Sequence, residues 1–225
     1  MSLAAKAWVS LLALAVFMAL LVFVPAGDVF GYPEAWIYLA IFVGASAWTT
    51  IDLIRRDPGL LERRMRGGPS AESRPLQRLI MLFASSAFLA LLVVPGLDHR
   101  FGWSSMSTPT VVLGDVLVAV GFYGVLCVYR ANSYTSATIG VASGQTLVST
   151  GPYGVVRHPM YATALLYVLG TPLALRSWWG LVPVGVMLVA LIWRLTDEEH
   201  MLARELAGYV GYQARVRYRL IPHVW

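Results

Sequence analysis

A single cysteine, Cys127, stands in a chain of 225 residues, so no internal disulfide and no paired-thiolate metal site is available. Charge is almost as scarce. Only 13% of the residues are Asp, Glu, Lys or Arg, against 58% hydrophobic. A water-soluble domain carries about twice that charge. No G-x-G occurs, which removes a Rossmann-type dinucleotide site, and neither HExxH nor the G-x-S-x-G nucleophile elbow is present.

What the chain has instead is apolar length. Its mean hydropathy is +0.66. Six runs approach the roughly 17–25 apolar residues that cross a bilayer: 7–27, 35–51, 79–97, 108–129, 159–175 and 177–193. The last two are separated by Arg176 and read as a tight helical hairpin. The fold class expected is an all-α polytopic membrane protein with about six transmembrane helices. With that count, 15 of the 17 lysines and arginines fall on one side together with both termini. The positive-inside rule makes that side cytoplasmic. The net charge of +5 then reflects membrane topology and not nucleic acid. Two regions are expected: four helices with a basic cytoplasmic loop at 55–78, containing Gly67, Gly68 and Pro69, and a region at 131–225 built from a loop, the hairpin and a C-terminal helix. The basic loop reads as a topology anchor beside lipid headgroups. Asp115 lies inside an apolar run, near its outer end, and is open between an interfacial and a functional reading.

Polar residues with chemical potential fall in two places. Gly151-Pro152-Tyr153 reads as a turn, and Pro159 suits the first turn of a helix, where its missing N–H is not needed. Arg157 and His158 therefore precede a helix start with unpaired backbone donors, a setting that favours anions. Arg194 and Glu198 are four apart and share one helix face, while Glu199 and His200 point elsewhere and Glu205 returns near that face. Headgroup snorkelling of Arg157 and an ordinary helical Arg194–Glu198 pair are the plain alternatives.

The string Gly144-Gln145-Thr146-Leu147-Val148-Ser149-Thr150-Gly151-Pro152-Tyr153, followed by Arg157-His158-Pro159-Met160-Tyr161 and by Arg194 with Glu198-Glu199, resembles the isoprenylcysteine carboxyl methyltransferase family. Phospholipid N-methyltransferases share the R-H-P-x-Y element. Tyr209-x-x-Tyr212 with Arg215 and Ile221-Pro222 is also similar to that family. The resemblance covers residues 131–225.

It implies an integral membrane methyltransferase whose cofactor is S-adenosyl-L-methionine. Carried over by position, cofactor contacts fall on Gln145, Thr146, Leu147, Val148, Tyr153, His158, Pro159, Met160, Tyr161 and Glu198. The substrate-side arginine falls on Arg194, and Arg194 and His158 are the catalytic candidates. The implied acceptor is a lipid or amphiphile, methylated on a carboxyl group in the isoprenylcysteine manner, or on nitrogen or sulfur in related enzymes. The expected setting is a bacterial inner membrane with the site facing the cytoplasm. An NADPH-dependent sterol-type reductase and a non-catalytic membrane module are the competing classes.

Overall fold

The structure is a computed structural model that describes every residue except Gly68, Pro69, Ala71, Ser73, Ala142 and Ser143. Gly68 and Pro69 of the expected basic loop thus lie outside the described residues. The described residues form eight α-helices, joined by turns and loops: α1 Leu3–Ala26, α2 Pro33–Arg56, α3 Pro58–Met65, α4 Pro75–Phe101, α5 Thr108–Ala131, α6 Pro159–Ala174, α7 Leu181–Glu205 and α8 Tyr209–Arg215. Proline marks the starts. It occupies the first or second position of α2, α3, α4, α5 and α6, where no intrahelical N–H bond is lost. Gly27 and Gly102 close α1 and α4 in the left-handed conformation that glycine adopts without penalty.

Helices α1, α2, α4 and α5 are long and apolar enough to cross a membrane. Their outer surfaces are greasy: Leu12 and Val24 are each 66% exposed. Buried apolar residues instead cluster inside, around Met18, Val22, Tyr38, Phe42, Leu92 and Val118. Large apolar side chains on both the inside and the outside of a bundle mark lipid as the surrounding solvent. These helices support an integral membrane protein. Helix α6 has 16 residues, about 24 Å of rise against a hydrocarbon core of about 30 Å. Helix α7 is apolar up to Trp193 and then carries Arg194, Asp197, Glu198 and Glu199 without a break. The chain after residue 194 continues α7 to Glu205, and α8 follows as the C-terminal helix.

The last two long helices do not pair as the expected hairpin. A short turn joins them, but α6 lies along α5 and α7 along α4, with little contact between α6 and α7. Glycine explains the first pairing. A Cβ on Gly121 would stand 2.7 Å from the Tyr167 nitrogen, and one on Gly170 would stand 2.6 Å from the Gly114 oxygen. Only backbones without side chains approach so closely, and small residues at helix crossings are the usual route to tight packing in lipid.

The basic 55–78 stretch is also different from a solvated anchor. It contains α3, capped by the Asp57 carboxylate on the Leu60 amide at 2.8 Å. Its arginines reach back over the bundle. Arg63 donates to the Ser133 carbonyl, Arg64 to that of Ser136 at 2.6 Å, and Arg74 pairs with Asp197 at 2.9 Å.

Candidate active site

Sequence dictates the site from the turn outward. Gly151, at φ +59°, lets the chain fold into the short 3-10 turn Gly151–Gly154, and the Tyr153 amide closes it on the Thr150 carbonyl at 3.2 Å. Arg157 and His158 then enter α6. Their backbone donors are not free, as the local pattern suggested. The segment after α8 lies against them, so the Arg157 amide donates to Tyr218 and the His158 amide to Arg219, both at 2.9 Å.

A first polar network gathers on Glu199. The Arg157 Nε lies 2.6 Å from Glu199 Oε1, His158 Nε2 lies 3.2 Å from the same oxygen, and Arg219 Nε donates to Oε2 at 2.9 Å. Arg157 also donates through Nη1 to the carbonyls of Val216 and Arg217. Burial alone would raise the Glu199 carboxyl. The hydrogen bonds from His158, Arg157 and Arg219 outweigh it and hold the group down to about 2. Glu199 is 4% exposed, so it is a buried hub that points away from the face shared by Arg194 and Glu198. The helix-face argument set Glu199 apart from Arg194 and Glu198 and could say no more, because it considered α7 alone. Glu199 faces the entry to α6 and the chain beyond α8, partners that α7's own periodicity cannot reveal. His200 and Glu205 are exposed.

A second network links Arg194 and Glu198 without a direct ion pair. The Tyr161 hydroxyl donates to Glu198 Oε2 at 2.6 Å and accepts from Arg194 Nε at 3.2 Å. Arg194 is buried. Its Nη1 reaches Gln77 Oε1 at 3.0 Å and Glu72 Oε1 at 2.8 Å, and its Nη2 donates to the Ala137 carbonyl at 3.0 Å. Glu72, 1% exposed, in turn accepts from the Ile139 amide at 3.3 Å. Neither Glu72 nor Gln77 stands out in the sequence. The first follows a glycine- and proline-containing stretch, and the second sits in the opening turn of α4.

A cavity of about 550 Å³ lies between α6 and α7 on one side and α4, α5 and the chain at 132–148 on the other. Gln145, Thr146, Leu147, Val148, Tyr153 and His158 line it, and so do Pro159, Met160, Tyr161, Arg194 and Glu198. Every residue singled out by position therefore lines one cavity. Sequence reasoning missed Arg64, Tyr129, Asn132 and Tyr134, which line it too, and missed its apolar wall of Phe42, Phe88, Phe122, Tyr167 and Met187. Residues 132–139 cover one side. Their carbonyls are clipped by Arg63, Arg64 and Arg194, three residues distant in sequence.

The polar end has unspent capacity. Glu198 Oε1 makes no hydrogen bond among the described residues. Burial pushes the Tyr153 phenol up to about 12, with Asn132 and the Arg64 cation pulling down and the Glu198 carboxylate pushing up, so it stays a neutral donor. The volume lies inside the roughly 300–1,000 Å³ of small-molecule sites. A partly open cavity with a carboxylate and aromatic rings at one end and a greasy wall at the other fits a nucleoside-like donor beside a lipidic acceptor.

Residues 109–207 match the family model described as phospholipid methyltransferase. Over 147 residues the chain is 27% identical to Protein-S-isoprenylcysteine O-methyltransferase B of Arabidopsis thaliana, across 61% of this chain and 70% of that protein. Both matches are to methyltransferases, and with the four apolar helices they support a membrane methyltransferase.

Proposed function

We propose that this chain, which both matches support as a relative of the phospholipid and isoprenylcysteine methyltransferases, moves a methyl group from S-adenosyl-L-methionine to a lipidic or amphiphilic acceptor inside the cavity between α6 and α7. The observation that carries this reading is the convergence of Tyr153, His158, Tyr161, Arg194 and Glu198 on one cavity. The cofactor, when bound, supplies a sulfonium-activated methyl group open to in-line displacement.

The chain's task is then to bind, align and exclude water. Glu198 Oε1 accepts from the donor's hydroxyl or amino groups, and Tyr161 orients that carboxylate through the 2.6 Å bond. Residues 145–148 line the same cavity, and the rings of Tyr153 and Tyr161 offer faces for a cation or a base. His158 acts mainly by position, since Glu199 holds its Nε2. Arg194 marks the acceptor side: its Nη2 has one N–H beyond the Ala137 bond. Phe42, Phe88 and Phe122 receive the acceptor's apolar tail. The preferred acceptor group is a carboxylate of the isoprenylcysteine type. It is already ionised at neutral pH and needs no general base. An amine or thiol acceptor would require one, and Glu198 is the candidate.

The topology that accompanies this reading has six crossings, α6 and the apolar part of α7 included. Both termini and the cavity face the cytoplasm of a bacterial inner membrane. S-adenosylhomocysteine at millimolar concentration should raise the melting temperature of the purified protein, and no shift would sink the proposal. Native membranes incubated with methyl-labelled S-adenosylmethionine would then identify the acceptor. Base-labile label means an ester, and stable label means an N- or S-methyl product.

A further inference from the structure

Three arginines line the cavity among the described residues: Arg64, Arg157 and Arg194. Two are neutralised within the chain. Arg157 faces Glu199 at 2.6 Å, and Arg194 faces Glu72 at 2.8 Å. Arg64 is not. Its nearest acidic neighbour along α3, Glu62, pairs with Arg66 at 2.5 Å, and no carboxylate lies within ion-pair distance of Arg64 among the described residues. Glu198, the acid on the same cavity wall, engages Tyr161.

Arg64 is nevertheless held in place. Its Nη1 donates to the Ser136 carbonyl at 2.6 Å, and its guanidinium carbon sits 5.3 Å from the centre of the Tyr129 ring. Ser136 and Tyr129 themselves line the cavity. A guanidinium has five N–H donors in a planar fork that matches a carboxylate. One carbonyl leaves most of that fork unspent, and the Tyr129 ring lies within cation–π reach of it. A cation on a partly apolar wall with no counter-charge of its own is a poor arrangement unless a ligand supplies the anion.

We propose that Arg64 is the anion-recognising residue of the cavity and takes a carboxylate of the bound ligand through its open guanidinium fork. The identity of that ligand rests on the methyltransferase reading. The carboxylate belongs either to the acceptor or to the methionyl end of the cofactor, and the two sources are separable. The basic segment 55–78 therefore does more than set topology: α3 carries a specificity residue into the site.

Two pairs of probes test this by calorimetric titration of the full chain in detergent: N-acetyl-S-farnesylcysteine against its primary amide, and S-adenosylhomocysteine against its decarboxylated analogue. The wild-type protein should prefer the acid of at least one pair by about tenfold or more. Arg64→Gln should abolish that preference while binding the neutral member unchanged. Arg64→Lys should reduce it without abolishing it, and carries the comparison if Arg64→Gln does not fold. Loss confined to the farnesyl pair assigns the carboxylate to the acceptor, and loss confined to the nucleoside pair assigns it to the cofactor. The proposal is overturned if the wild type prefers neither acid, if Arg64→Gln keeps the preference, or if it weakens acid and neutral members equally. Wild-type protein blind to S-adenosylhomocysteine would end the methyltransferase reading, and the farnesyl pair would still decide the role of Arg64.

Discussion

The bundle buries polar side chains at both ends, and the two ends differ in what is left over. At one end Asp98, 2% exposed, accepts from the Ser104 amide at 2.8 Å and from the hydroxyls of Ser104 and Ser177 at 2.5 Å. Ser177 also takes the Gly180 amide, and the Tyr32 hydroxyl closes on the Leu175 carbonyl at 2.6 Å. None of these groups lines the large cavity. At the other end Glu199 and Glu72 are just as buried, yet the side chains they hold, Arg157, His158 and Arg194, stand with Tyr161 around about 550 Å³ of space, with Glu198 Oε1 and most of the Arg64 fork unspent. Burial of polar groups alone thus does not mark a site. Asp98 makes a closed clasp that ties the start of the α6–α7 turn to α4. The opposite network is a frame that holds two helices apart.

That contrast is sharpest in the effect of removing one carboxylate. Glu199→Ala leaves Arg157, His158 and Arg219 facing one another in a buried pocket, and unfolding in detergent should show a loss of about 3–5 kcal/mol. A loss below about 1 kcal/mol would mean that the cations re-pair and the hub is dispensable. Acid makes a graded version of the same break. The Glu199 carboxyl is held at about 2 in the folded protein against 4.5 ordinarily. Its contribution is complete above about pH 4.5 and disappears as pH falls toward about 2. Melting temperatures should fall through that window in the wild type, and Glu199→Gln should lack this component.

Asp98→Ala, at the closed end, should cost about 1–3 kcal/mol from the hydroxyls left without an acceptor. Its affinity for S-adenosylhomocysteine per folded molecule should be unchanged, and a changed affinity would break the division between clasp and frame. Glu198→Ala is the smallest perturbation to the fold, with stability shifting by no more than about 0.5 kcal/mol. Calorimetry should nevertheless show about tenfold weaker nucleoside binding. Equal affinity would remove Glu198 from the site.

Much of this was legible from residue order. Prolines at 33, 58, 75, 109 and 159 announce helix starts, and apolar runs give the four long helices almost to their ends. The site residues carried over from the R-H-P-x-Y region all reach one cavity. The α5–α6 pairing had a signal that went unread: Gly114 and Gly121, seven residues apart, both lie under the backbone of α6. The role of Glu199 had none, because its three partners come from positions 157, 158 and 219. Glu72 and Arg64 were equally silent. Their stretch looks like a basic interfacial loop until α3 is seen to lean over residues 132–139.

Sequence by itself determined the solvent, the helix ends and the residue types available for chemistry, because hydropathy, proline and glycine act locally and leave their marks in linear order. Only the tertiary structure decided that α6 and α7 stand apart with a cavity between them, that Glu199 and not Glu198 neutralises Arg157, and that Arg64 enters the cavity without a carboxylate of its own. Those outcomes depend on close helix contact and on charge balance in a low-dielectric interior, and both are properties of pairs far apart along the chain.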